Sequence, residues 1–189
     1  MKSRLITFVI AILIGTLPVA FTTLVCGFKS NNSPARKSNL KEWMPGNLKV
    51  SKFANGEPIM EAKTTEEWHN AGKNKQPAWC YYNNDPKNDR KYGKLYNWYA
   101  VNDPRGLAPE GWHVPDDKEW NNFPGNNVAG GIRAYGGVFS KIDSVGFWWS
   151  ATPAYSADAW CRYLVPSLNY VRRLSHDKYY GLSVRCIKD

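Results

Sequence analysis

The chain closes on Gly181-Leu182-Ser183-Val184-Arg185-Cys186-Ile187-Lys188-Asp189, with Trp148-Trp149-Ser150 upstream of it. Period-two alternation in this last run puts Leu182, Val184 and Cys186 on one face and Ser183, Arg185 and Ile187 on the other. A terminal strand behind an aromatic, charged ribbon points to a rigid scaffold that displays one face. Further strands are expected at 43–50, 77–82, 147–150, 159–165 and 170–174, with a hairpin over 132–140 turning at Gly136-Gly137. Residues 95–101 read as a strand or a short helix. In the 159–165 run, Trp160, Arg162 and Leu164 share a face opposite Cys161, Tyr163 and Val165. Thr64 and Glu67 form a capping box for one helix, closed by Gly72. Asp116 and Glu119 form a second box, whose helix is cut short by Asn121 and then Pro124-Gly125. The fold class is therefore α+β: small mixed or antiparallel sheets, two short helices and many loops.

Once an N-terminal segment and linker are set aside, about 150 residues remain, enough for one domain with one core. Nine Trp, eleven Tyr and seven Phe make that core aromatic. Trp79, Trp98, Trp112, Trp148, Trp149 and Trp160 lie on or beside strands. A tryptophan stripe can stack sugars, but a β-rich domain of this size must first fill its interior, so most of these rings are expected in the core. Tyr155, Tyr163, Tyr179 and Tyr180, in polar turns or on the outer face, are better contact candidates.

Residues 1–26 read as a targeting segment. Lys2 and Arg4 precede the uncharged run 5–25, which Gly15 and Pro18 interrupt. Leu24-Val25-Cys26-Gly27 resembles a lipobox with Cys26 as the lipidated residue, although Val25 fills a slot that usually holds a small residue. A cleaved signal, a lipoprotein signal and an uncleaved membrane anchor all remain open, and all three place the domain outside the cytoplasm, secreted or held at a bacterial surface such as the outer membrane. Residues 27–41 form a polar, basic linker ahead of a domain at 42–189. The formal charge is +9, or +7 without Lys2 and Arg4. Acidic residues are interleaved along the chain, so the charge reads as a solvated surface. Export argues against nucleic acid as a partner but leaves acidic glycans or anionic surfaces open.

The order of several motifs carries a resemblance. Trp43-Met44, Asn47-Leu48 and Phe53-x-Asn55-Gly56 come first, then 78–82 (Ala-Trp-Cys-Tyr-Tyr) and 92–101 (Tyr-Gly-Lys-Leu-Tyr-Asn-Trp-Tyr-Ala-Val). Leu107-Ala108-Pro109, Gly111-Trp112-His113-Val114-Pro115, Trp148-Trp149-Ser150, Ala159-Trp160 and Ser183-Val184-Arg185-Cys186 follow. Over residues 42–189 the chain resembles the Fibrobacter succinogenes major paralogous domain family. The resemblance implies a C-type-lectin-like fold, with a likeness to formylglycine-generating enzymes in the Arg-Cys ending. It also implies an exported or lipid-anchored surface protein. Some members of this kind are targets of diversity-generating retroelements, with hypervariable positions on a fixed scaffold near the C-terminus. Here that scaffold would include Trp160, Arg162, Leu164, Val171 and Arg173. The displayed ligand-binding positions would be Tyr155, Tyr163, Val165, Tyr170, Arg172, Leu174, His176, Asp177, Tyr179 and Tyr180, and Cys161 reads as a variable surface position. The stretch 121–129 is shorter than in the family, so the second helix and the long loop of a lectin-like domain are reduced.

Cys80, Cys161 and Cys186 lie in the domain, an odd number that allows at most one bridge. The lectin-like resemblance implies Cys80–Cys186; Cys161–Cys186 and free thiols are the alternatives. No residue set points to catalysis: one spare cysteine has no visible activating base, and His69, His113 and His176 have no metal-ligand spacing. His113 reads as a hydrogen-bonded structural residue. Asn83, Asn84, Asp85, Asn88 and Asp89 could offer oxygens to calcium, but such a loop is more often a turn. No cofactor or metal is expected. The expected function is a non-enzymatic, surface ligand-binding module for an extracellular protein or glycan, with rigid tyrosines as contacts and Arg172 for an acidic group. The alternatives are a structural envelope protein and an inactive relative of formylglycine-generating enzymes.

Overall fold

The computed structural model describes residues 41–123, 128–165 and 170–189. The expected signal, Cys26 and nearly all of the linker lie outside the described residues. Four small sheets make up the β structure. In the first, β1 (Met60–Glu61) runs parallel to β2 (Ala78–Cys80), which pairs antiparallel with β3 (Leu95–Tyr96). β4 (Trp112–His113) pairs with the last strand, β10 (Ile187–Lys188). β5 (Gly130–Arg133) and β6 (Phe139–Ile142) form the expected hairpin. β7 (Gly146–Pro153), β8 (Asp158–Val165) and β9 (Tyr170–Asp177) form an antiparallel meander in that order. Among the described residues no helix is long and apolar enough to cross a membrane.

α1 (Thr65–Lys73) begins as its capping box dictates. The Glu67 N–H donates to Thr64 Oγ1 at 3.1 Å, and the Thr64 N–H donates to Glu67 Oε2 at 3.0 Å. The helix buries Trp68, Ala71 and Gly72. Gly72 is needed for a close approach, since a Cβ there would stand 2.7 Å from the Tyr179 ring. α2 (Asp89–Tyr92) and α3 (Trp98–Val101) are single turns. The second capping box also forms, with Glu119 N–H on Asp116 Oδ1 and Asp116 N–H on Glu119 Oε2, both at 3.0 Å. It is followed by a 3-10 turn, Glu119–Asn122, whose own N-cap position is Lys118, and not by the expected α-helix. Phe123 turns extended (ψ 127°) directly ahead of Pro124, and a residue before proline is disfavoured in the α region.

Two strand expectations are corrected. Residues 43–50 form no strand; Trp43 makes one bridge to Ile187, and the backbone bends at Pro45-Gly46, where proline offers no N–H to a ladder. Residues 182–187 complete no single sheet either. Leu182 bridges Tyr96 of β3, Ser183 bridges Trp148 of β7, and Gly181 bridges Arg133 of β5. The Met44 and Leu48 N–H groups donate to the Cys186 and Val184 carbonyls at 2.9 and 2.8 Å. The run is buried on both of its alternating faces and ties several sheets together.

The main core holds Leu48, Phe53, Trp79, Tyr96, Trp98, Trp149, Leu182, Val184 and Cys186. A second cluster centres on Trp68, Cys80 and Leu95, and a third joins Trp120, Trp148 and Leu164. The indoles are anchored as well as buried. Trp79, Trp98 and Trp149 donate to the carbonyls of Ile59, Ser150 and Tyr96 at 2.8–3.0 Å. Trp148 donates to Asn47 Oδ1 at 2.8 Å, while Asn47 Nδ2 donates to the Tyr92 carbonyl at 2.8 Å and lies 3.3 Å from Ser183 Oγ. One asparagine thus joins three separated motifs, and a buried amide satisfied in this way is costly to lose.

Candidate functional site

The β7–β8–β9 meander carries most of the expected contact positions. Its register aligns Phe147, Tyr163 and Arg172 across the sheet, and likewise Trp149, Cys161 and Leu174. Paired residues share a face, so this face of the sheet carries Ala159, Cys161, Tyr163 and Val165. The other carries Trp160, Arg162 and Leu164 beside Ser175, Arg173 and Val171. The alternation is as expected, but both faces of β8 are covered. Ala159 and Cys161 enter the main core, and Leu164 enters the Trp120–Trp148 cluster. Cys161 is fully buried, which corrects its reading as a variable surface position. Its partner across the register, Trp149, is fully buried as well.

β9 differs. It is the outermost strand of its sheet, and Tyr170, Arg172, Arg173 and Leu174 are exposed. The ten expected contact residues therefore do not form one patch. Tyr170, Arg172 and Leu174 line the open strand. Tyr163, His176 and Tyr180 are half-buried around Phe147; the His176 ring stacks on Tyr180 at 4.8 Å, and Phe147 lies 5.7 Å from Tyr163 and 5.8 Å from His176. Burial lowers the His176 pKa and outweighs the opposing pull of Asp158. Val165 is half-buried at the β8 end facing Tyr170.

Tyr155, Asp177 and Tyr179 gather at the opposite end. Lys178 Nζ donates to the carbonyls of Tyr155 and Ser156 at 3.1 and 2.8 Å, which holds the β7–β8 turn against the end of β9. Beside it a 260 Å³ cavity is lined by Lys75, Tyr99, Ser156, Ala157, Asp177 and Tyr179. The Tyr99 and Tyr179 rings lie 5.9 Å apart at 47°. Burial pushes the Tyr99 phenol up to about 12, with Tyr179 and Asp177 adding to it, so it remains a neutral hydroxyl. Two phenols, a carboxylate, an ammonium and a serine hydroxyl offer donors and acceptors beside flat apolar surface. Lys75 and Tyr99 are far from Tyr179 in the chain, and no local pattern singles them out; the fold alone brings them together.

The expected Cys80–Cys186 bridge is corrected: Cys80, Cys161 and Cys186 are free thiols. Cys80 sits in the Trp68 cluster and Cys186 in the main core, so the two are separated by packing that a bond would have to displace. Burial pushes Cys80 up to about 11 and Cys161 and Cys186 up to about 12, which suppresses the reactive thiolate.

The oxygen-rich loop is built as turns. Asp85 accepts from the Lys87 N–H, and Asn88 donates to the Tyr82 carbonyl. Among the described residues no group of three or more His, Cys, Asp or Glu side chains could hold a metal ion. His113 is fixed between carboxylates, 2.6 Å from Asp189 and 3.0 Å from Glu119, where it ties β4 to the chain end.

Neither a curated protein nor a solved structure matches this chain. Residues 37–126 match the Fibrobacter succinogenes major domain, a stretch that contains the Asn47 anchor, α1 and β1–β4 and ends before the β7–β9 meander. Residues 37–126, which carry the first motifs of the resemblance, are thus similar to the Fibrobacter succinogenes major domain.

Proposed function

We propose that this protein is an exported, non-enzymatic surface module of C-type-lectin-like character that binds an extracellular protein or glycan through its β7–β9 meander. The observation that carries this reading is where apolar surface is left open. Of the five exposed large hydrophobic residues among the described residues, three (Tyr155, Tyr170 and Leu174) lie on or beside β8 and β9. Exposed Tyr and Leu on a rigid strand cost little to order on binding, and Arg172 beside Tyr170, 5.6 Å from its ring centroid, adds a charged contact. The Tyr99–Tyr179 cavity supports the same reading from the other end of the meander. The N-terminal targeting pattern supports export.

The test is a binding survey of the full chain on arrays of glycans and extracellular proteins, beside the variant Tyr170→Ser/Arg172→Ser/Leu174→Ser. Signals that the parent gives and the triple variant loses support the reading. Signals equal in both contradict it.

The outer edge of β9 favours a second reading, a structural envelope protein that pairs edge to edge with another copy. A dimer in solution that Leu174→Asp dissolves would favour it over ligand binding.

A further inference from the structure

The face of the meander turned away from the main core holds a second cavity, of 360 Å³, lined by Trp120, Phe123, Arg162, Tyr170, Val171 and Arg173. Its size falls in the usual range for small-molecule sites, roughly 300–1,000 Å³. Both charged residues on its wall are arginines. They share one carboxylate: Arg162 Nη1 lies 2.7 Å from Asp117 Oδ1, and Arg173 Nε lies 2.8 Å from Asp117 Oδ2. Two guanidiniums against one acid leave a net positive charge at the cavity. Arg162 is held rigidly, with a further bond to the Asp117 carbonyl at 2.7 Å, and its side chain is largely buried. Arg173 is exposed, and its guanidinium carbon lies over Trp160, 3.2 Å from the ring centroid.

A second observation is independent of the charges. Trp120 forms one wall, and its buried Nε1–H has no hydrogen-bond partner, an unmet donor beside the arginines. Tyr170, at the start of β9, also lines the cavity, and Trp120 and Phe123 give it aromatic walls.

We propose that this cavity binds the carboxylate of an acidic sugar residue, as found in a uronic-acid polysaccharide. Arginine forks match planar carboxylates, and aromatic rims accept the apolar face of a pyranose. The inference rests on the preceding reading in placing the ligand outside the cell; Arg162, Val171 and Arg173 are positions that the resemblance assigned to the scaffold, and Tyr170 is the one lining residue shared with the β9 contact positions.

The experiment measures affinity of the full chain for polygalacturonate, for the same polymer fully methyl-esterified, and for neutral dextran, at two salt concentrations. The parent is expected to bind only the acid form. Arg173→Gln should weaken it at least about tenfold, and Arg173→Lys, which keeps the charge but not the fork, by an intermediate factor. Arg90→Gln, an exposed arginine that does not line this cavity, should change it less than about twofold. Equal losses for Arg173→Gln and Arg90→Gln would mean attraction to net charge only and would overturn the site. Failure to bind the acid polymer would overturn it too. Array signals lost in the β9 triple variant would then still support the broader reading, and their absence would remove both.

Discussion

The two ends of one stretch of chain, β8–β9 and the run 181–187, have the same alternating pattern and opposite fates. In the terminal run every residue is buried, and its backbone groups bond to residues 44 and 48, β3, β5 and β7 in turn. In β9, earlier in the chain, β8 is the one neighbouring strand among the described residues, and four side chains stand exposed. Alternation alone therefore does not say which face meets the core. The number of elements stacked around a strand decides that, and this number is a property of the whole fold. The terminal run behaves as the keystone of the scaffold, and β9 as a surface the scaffold presents.

The largest test of this contrast is Trp148→Ala, which removes a fully buried indole and leaves Asn47 without its donor. It should cost about 3–5 kcal/mol and in a marginal domain prevent folding, as read from chemical denaturation. Leu182→Ala in the keystone should cost about 2–5 kcal/mol. If either is tolerated, the buried run is not the keystone.

Thr64→Ala should cost about 0.5–2 kcal/mol through the lost cap of α1, and since Gly72 of that helix lies against Tyr179, it should also loosen the cavity end of the meander. Amide hydrogen exchange at 177–180 would register that coupling.

Acid should act on the scaffold side. Burial alone would raise the Glu119 pKa, but Lys41, the Asp116 N–H and His113 hold it down to about 2. Its folded value is below its unfolded one, so its contribution is present above the ordinary value near 4.5 and is lost as pH falls from there toward 2. Glu119→Gln should flatten the fall of the melting temperature over that window.

Leu174→Ser should have the smallest effect on stability, within about 0.5 kcal/mol, while reducing any binding through β9.

Much of the frame was legible in the sequence because its signals are local. The Thr64–Glu67 and Asp116–Glu119 boxes, the Gly136-Gly137 hairpin and strands β7 to β9 all follow from short-range chemistry. Trp79, Trp98, Trp148 and Trp149 were readable as core for a similar reason, their size, whereas Trp112 and Trp160 are only partly buried. What could not be read was relational. The 182–187 run looks like an ordinary strand until its several partners are in place. The three cysteines look pairable until Cys80 and Cys186 fall into different clusters. Arg162 and Arg173 look like scaffold until Asp117, from a distant turn, is shown shared between them. Lys75 and Tyr99 carry no mark of a site until α1 and α3 bring them to Tyr179.

The most direct measurement pairs thermal unfolding with array binding for Tyr170→Ser/Arg172→Ser/Leu174→Ser and for Leu182→Ala. The triple variant should melt within about 2–4 °C of the parent and lose its binding signals, while Leu182→Ala melts several degrees lower. A triple variant that unfolds like Leu182→Ala, or that keeps every signal, would contradict the division into keystone and presented surface.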